Sequence, residues 1–96
     1  MTRRPTYRFR LYVAEGTQNS DQALANLTTL CQAQLPDRYA IEVVDVLKEP
    51  TRSLEDGILM TPTLMVLSPS PIRRIVGTLS QTPMVLRVLG LRAAVA

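Results

Sequence analysis

Three prolines stand inside the most apolar stretch of the chain, "GILMTPTLMVLSPSPIRRIVG" at 57–77. Proline has no backbone N–H and a fixed φ, so it is confined to the mouth of a strand, an edge or a turn. The stretch is therefore divided. "TPTLMVL" reads as a strand opened by Thr61-Pro62, "IRRIVG" reads as a second strand, and Ser68 to Pro71 suit the hairpin connection between them. An X–Pro bond favours trans by only about 0.5–1 kcal/mol, so a turn at Thr61-Pro62 can hold the cis form.

The segments before and after this hairpin complete the frame. "YRFRLYV" alternates, with Tyr7, Phe9, Leu11 and Val13 on one face and Arg8, Arg10 and Tyr12 on the other, the period of a strand. "AEGTQ" is a loop, and Asn19 or Ser20 is the expected cap of the helix that follows. In that helix Ala23, Leu24, Leu27, Leu30, Cys31 and Gln34 or Leu35 recur at spacings of three and four until Pro36. "YAIEVVDVL" is a β-branched strand with Ile41, Val43, Val44 and Val46. "KEPTRSLEDGILM" reads as a short helix carrying Leu54, Ile58 and Leu59, and "TLSQTPMVLRVLGL" as a helix capped by Ser80 with Pro83 in its first turn. The order βαβαββα implies a parallel βαβ crossover, an antiparallel hairpin and helices on both faces, which is the thioredoxin-like arrangement.

Composition narrows the chemistry. Ninety-six residues with 46% hydrophobic and 20% charged content predict one domain with its own core, with 1–5 and 92–96 as flexible ends. The net charge of +3 is almost wholly arginine, and a single Phe, three Tyr and no Trp leave little for base stacking, so neither nucleic acid nor membrane is an expected partner. No apolar h-region follows "MTRRPTYRFR", and a cytoplasmic location is expected.

One cysteine and no histidine remove zinc clusters and His-based nucleophilic catalysis. A thioredoxin-like order invites thiol–disulfide chemistry, which needs a thiolate pair in the loop after the first strand. That loop is "AEGTQNS", without sulfur, and Cys31 lies over two turns down the helix on its apolar stripe, where a core position is expected. The same loop lacks the ending of a phosphate loop. Glu55-Asp56 reads as solvated surface and Asp45 as a loop cap. No catalytic residue, cofactor or metal site is expected, and the protein is read as a non-enzyme.

"LYVAEGTQNSDQAL", "VVDVLKEP", "ILMTPTL" and "PSPIRRIVGTLS" together resemble the KaiB family of small clock proteins, nearly without gaps from about Thr6 to Leu91. The resemblance implies a regulator that binds a KaiC-type ATPase, with KaiA or a sensor kinase as further partners and a tetramer or dimer as the homo-oligomer. It also implies two folds: the thioredoxin-like βαβαββα form, and a ground-state form whose second half is rewired to βαββααβ. "TPTLMVL" and "PMVLRVLGL" are apolar at nearly every position, so periodicity alone assigns neither firmly to helix or strand.

Departures from the family pattern fall at charged positions. Glu42 stands where a lysine is usual in the second strand, Gly57 and Val66 stand at similar lysines, and Gln22 stands at an arginine. With Ala40 these are the expected partner-binding positions. Thr78 replaces the usual Asp, Ser70 the middle of a three-proline run, and Ala93 a tyrosine. Tyr7, Pro62, Pro69, Pro71, Gly77 and Thr78 are the expected fold-switch or hinge positions. A KaiB-like interaction or stress-signalling module without a clock role is the alternative reading. Leu86, Val88, Leu89 and Leu91 suit either an oligomer interface or the core.

Overall fold

The computed structural model describes residues 6–91. The terminal stretches 1–5 and 92–96, with the expectation about Ala93, lie outside the described residues. The elements run β1 (Tyr7–Val13), α1 (Gln18–Gln34), β2 (Tyr39–Asp45), α2 (Pro50–Glu55), β3 (Thr63–Ser68), β4 (Arg73–Val76) and α3 (Thr82–Leu89). This is the expected βαβαββα order. The strands form one sheet in the order β2-β1-β3-β4. β1 and β2 are parallel, from Tyr7 opposite Tyr39 to Val13 opposite Asp45. β3 runs antiparallel to both β1 and β4.

The alternation in β1 sends Tyr7, Phe9, Leu11 and Val13 to a face covered by α1 and α3. There they pack with Ala23, Leu27, Leu30, Cys31, Leu64, Val66, Ile75, Val85, Leu86 and Leu89. Each large apolar side chain fully withdrawn from water contributes about 1.5–3 kcal/mol before ordering costs. Leu86 and Leu89 are thus core residues, and Val88 and Leu91 pack against the same core. The opposite face carries a second, smaller cluster of Tyr12, Val44 and Met65, flanked by Val46, Ile58 and Leu67 and covered by α2.

Tyr12 lies on the face opposite Phe9 and Leu11, as its alternation implies, and is fully buried in the second core, because β1 is central and both its faces need cover. Several local expectations are corrected. The N-cap of α1 is Thr17, which makes no side-chain cap. Ser20 is instead buried inside the first turn, where its Oγ accepts the Ala14 N–H at 3.0 Å. The N-cap of α3 is Gln81, and Ser80 accepts a hydrogen bond from the Thr78 hydroxyl. α2 is only six residues long, and Leu54 and Leu59 point to solvent at 78% and 94% exposure; only Ile58 of that trio reaches a core. Gly57, at φ +66, ends the segment in a left-handed conformation that suits glycine. β3 extends through Ser68, so the hairpin connection is 69–72. The Thr61-Pro62 bond is cis as expected; Ser68-Pro69 and Ser70-Pro71, for which no isomer was expected, are cis as well.

Candidate interaction surface

On the α2 face, strand register places Glu42, Arg10, Met65 and Arg74 in one row across β2, β1, β3 and β4. Arg10 joins two carboxylates: its Nε donates to Glu42 Oε1 at 2.8 Å, and its Nη1 donates to Asp56 Oδ2 at 3.1 Å. Arg52 of α2 donates to the other Glu42 oxygen at 2.9 Å and to Glu49 at 3.3 Å. The buried Tyr12 hydroxyl donates to Asp56 and lies 3.3 Å from the Arg52 carbonyl. A seam of alternating charges thus fastens α2 and its exit to β1 and β2.

The electrostatics follow the geometry. Hydrogen bonds from Arg10 and then Arg52 hold the Glu42 carboxyl below the usual range. The Tyr12 hydroxyl first, and Arg10 second, do the same for Asp56. Burial, reinforced by Asp56, pushes the Tyr12 phenol up. Glu42 is therefore an internally neutralised carboxylate, and the surface at this point presents a closed ion-pair network. Exposed pairs of this kind contribute little stability, about 0–1 kcal/mol, so their main consequence is for partner electrostatics.

The adjacent arginines of "RRI" serve opposite faces. Arg73 donates to the Val88 carbonyl near the end of α3, and to Pro69 at 2.9 Å and Pro71 at 3.1 Å across the hairpin connection. Arg74 donates to the Asp56 carbonyl and, at 3.2 Å, to that of Gly57, just beyond α2. Each guanidinium meets carbonyls at the negative end of a helix. The period of two in β4 is the signal that one arginine goes to each face; which helix it meets is not in the sequence.

The expected partner-binding residues do not form one patch. Ala40 and Glu42 share the α2-side face of edge strand β2, opposite Arg8 and Arg10. Gly57 lies at the Arg74 end of the same face, where its carbonyl is occupied. Gln22 is exposed on α1, which covers the other face. Val66 is corrected: fully buried opposite Phe9, it offers no surface in this fold. Asp56 is also corrected, since it is the acceptor at the centre of the seam. Asp45 closes its turn as expected, accepting the Leu47 N–H at 2.9 Å.

Of the expected hinge positions, Tyr7 donates its hydroxyl to the Leu89 carbonyl at 3.0 Å, joining β1 to the end of α3. The Pro62 carbonyl accepts the Gly77 N–H at 2.9 Å, so these two hold each other across β3 and β4. Thr78 accepts from the Asn26 side chain of α1 at 2.8 Å. Pro69 and Pro71 are exposed in the connection. Cys31 is fully buried, and burial pushes its thiol up to about 12. Such a thiol is unreactive at neutral pH. Among the described residues no group of Cys, Asp or Glu is arranged to hold a metal, and no helix is long and apolar enough to cross a membrane.

A family model of the KaiB domain matches residues 10–91. The chain belongs to the KaiB family. It is 48% identical over 86 residues to the circadian clock oscillator protein KaiB of Prochlorococcus marinus, covering 90% of this chain and 74% of that one. It is 45% identical over 77 residues to the circadian clock protein KaiB3 of Synechocystis, covering 80% and 76%. In three dimensions this KaiB-family chain is similar to chloroplastic thioredoxin z, with a TM-score of 0.76 and 19% identity over 91% of this chain and 78% of that one. It is also similar to the N-terminal domain of Synechococcus elongatus SasA, with a TM-score of 0.73 and 15% identity over 100% of this chain and 93% of that one. At those identities the likeness establishes the thioredoxin-like fold alone.

Proposed function

We propose that this chain is a non-enzymatic, KaiB-type clock regulator that acts by binding a KaiC-type ATPase through its thioredoxin-like form. The supporting observation is the conjunction of a KaiB family match over 10–91 with the architecture of the SasA N-terminal domain. The β1–α1 loop carries no sulfur and the one thiol is buried, which fits a binding rather than a redox use of this fold. The Ala40–Glu42 strand face and the Gly57 end of the seam are the proposed contact region. KaiA or a sensor kinase is the proposed further partner. A tetramer or dimer, and rearrangement of the second half to βαββααβ, complete the reading, which would place the protein in the cytoplasm.

Size-exclusion chromatography with the cognate ATPase, in both phosphorylation-mimicking states, tests the proposal. A co-eluting complex with at least one state is expected, weakened by substitutions at Ala40 or Glu42. Absence of a complex with either state overturns it. A second reading, an interaction or stress-signalling module without a clock role, draws on the neutralised Glu42. If the resemblance is right in placing a lysine at this position in relatives, Glu42, paired here with Arg10 and Arg52, presents no free positive charge to such a partner, and charge mismatch at an interface costs several kcal/mol.

A further inference from the structure

Antiparallel strands alternate between residue pairs that exchange both backbone hydrogen bonds and pairs whose N–H and C=O groups point away from each other. In the β3–β4 hairpin the phase is set by the Gly77 N–H, which donates to the Pro62 carbonyl at 2.9 Å. By that alternation Ile75 opposite Leu64, and Arg73 opposite Val66, are bonded inward as well. Arg74 and Val76, opposite Met65 and Thr63, turn their N–H and C=O groups outward. β4 ends the sheet on that side, so these groups meet no strand among the described residues.

Open edges are commonly guarded by a proline within the strand or by a charged side chain standing on the edge. Here Pro69 and Pro71 precede β4, in the connection. Both arginines of β4 are turned back over their own molecule. Arg73 holds the Val88, Pro69 and Pro71 carbonyls, and Arg74 holds those of Asp56 and Gly57. What stands along the α2 side of the edge is apolar. Val76 is 55% exposed there, and Ile72, just before the strand, is 60% exposed. Met60, 64% exposed, adjoins them, since its carbonyl accepts the hydroxyl of Thr63, the residue opposite Val76.

We infer that β4 is a homodimerisation edge: two copies of this chain pair their β4 strands antiparallel about a two-fold axis at Ile75, joining two four-stranded sheets into one. The register selects a second copy as the occupant. With Arg74 opposite Val76 of the second copy, and Val76 opposite its Arg74, every outward group of both strands finds a partner. A slip that sets Arg74 opposite Arg74 of the second copy places like charges face to face, which destabilises a strand pair. A slip that sets Val76 opposite Val76 requires Thr78 to pair with Arg74. Gly77, at φ +116, turns the chain off the strand before that point, and the Thr78 carbonyl already accepts the Asn26 side chain. The remaining register also lays Val76 against the methylene stem of the second copy's Arg74, which withdraws exposed apolar surface from water. The other edge strand, β2, carries the Ala40–Glu42 region, so the dimer leaves that region open at both ends of the joined sheet. Pairing through β4 does not depend on the ATPase binding proposed above.

The test is amide hydrogen exchange by NMR on the full chain alone. It spans about 20 µM to about 1 mM, since an edge of four residues supports only a weak, reversible dimer. The Arg73 and Ile75 amides are expected to be protected at every concentration. Those of Arg74 and Val76 are expected to exchange freely when dilute and to slow about fivefold or more when concentrated. Sedimentation velocity on the same samples should show monomer giving way to dimer. Val76→Lys, at an exposed position, is expected to keep the spectrum and weaken association about tenfold or more. Exchange at Arg74 and Val76 that ignores concentration overturns the inference, as does association indifferent to Val76→Lys or new protection along β2 instead. Loss of protection at Arg73 and Ile75 on association also overturns it, because the second half has then rearranged and not paired edge to edge.

Discussion

Removal of one oxygen, Tyr12→Phe, tests whether the charged seam is an energetic part of the fold. The ring is fully buried beside Val44 and Met65, and phenylalanine leaves its packing intact. What is lost is the hydroxyl that donates to the Asp56 carboxylate. A hydrogen bond to a charged group is worth about 1.5–3 kcal/mol. Asp56 keeps Arg10 at 3.1 Å and its side chain is a quarter exposed, which limits the penalty of leaving it short of a donor. The expected cost is about 2 kcal/mol, or about 10 °C in Tm for a domain of this size. In an Asp56→Ala background the Tyr12 hydroxyl can turn to the Arg52 carbonyl, 3.3 Å away, so the same substitution then costs about 1 kcal/mol or less. The difference is the coupling energy, read from urea unfolding of the four proteins. The pH dependence gives a second readout. Asp56 has a lowered folded-state pKa, so its contribution is present above the usual carboxylate range and is lost as pH falls through the depressed value. The gap between wild type and Tyr12→Phe must therefore narrow in acid. A cost below about 0.5 kcal/mol at neutral pH, or a coupling near zero, would refute the reasoning.

Other outcomes follow from the same contacts. Cys31 should resist thiol reagents at neutral pH in the native protein and react at the rate of global unfolding, as followed by a chromogenic disulfide; because its folded pKa is raised to about 12, stability should fall as pH rises above the ordinary thiol range towards that value. Val66→Lys, which supplies a charge at a fully buried position, should destabilise by several kcal/mol in thermal melts instead of creating a binding surface. Glu42→Lys should change stability by no more than about 1 kcal/mol, since its side chain is nearly half exposed, while altering complex formation with a KaiC-type ATPase on size-exclusion chromatography. Arg73→Ala should increase hydrogen exchange at the end of α3 and Arg74→Ala at the exit of α2, each leaving the other helix unchanged; equal effects of both on both helices would contradict the two-face arrangement.

The element order, the antiparallel hairpin and the main core were legible in the sequence, because periodicity and proline placement act locally. Val13 follows Leu11 and Phe9 at a spacing of two, Leu30 follows Leu27 and Ala23 at three and four, and Pro62, Pro69 and Pro71 leave only one place to cut the strands. The buried, unreactive Cys31 and the family motifs belong to the same local information. Tertiary structure decided the rest, since the same local pattern serves several neighbourhoods. Alternation puts Tyr12 on the face opposite Leu11 but not its neighbours there, which the sheet order supplies by making β1 central and covered on both sides. Asp56 reads as one of two surface acids until Tyr12 and Arg10, more than forty residues away in sequence, converge on it. Val66 reads as a surface substitution until its register opposite Phe9 turns it into the core. Charge partners and burial are properties of pairs of segments, and their pairing is set when the sheet closes around its two cores.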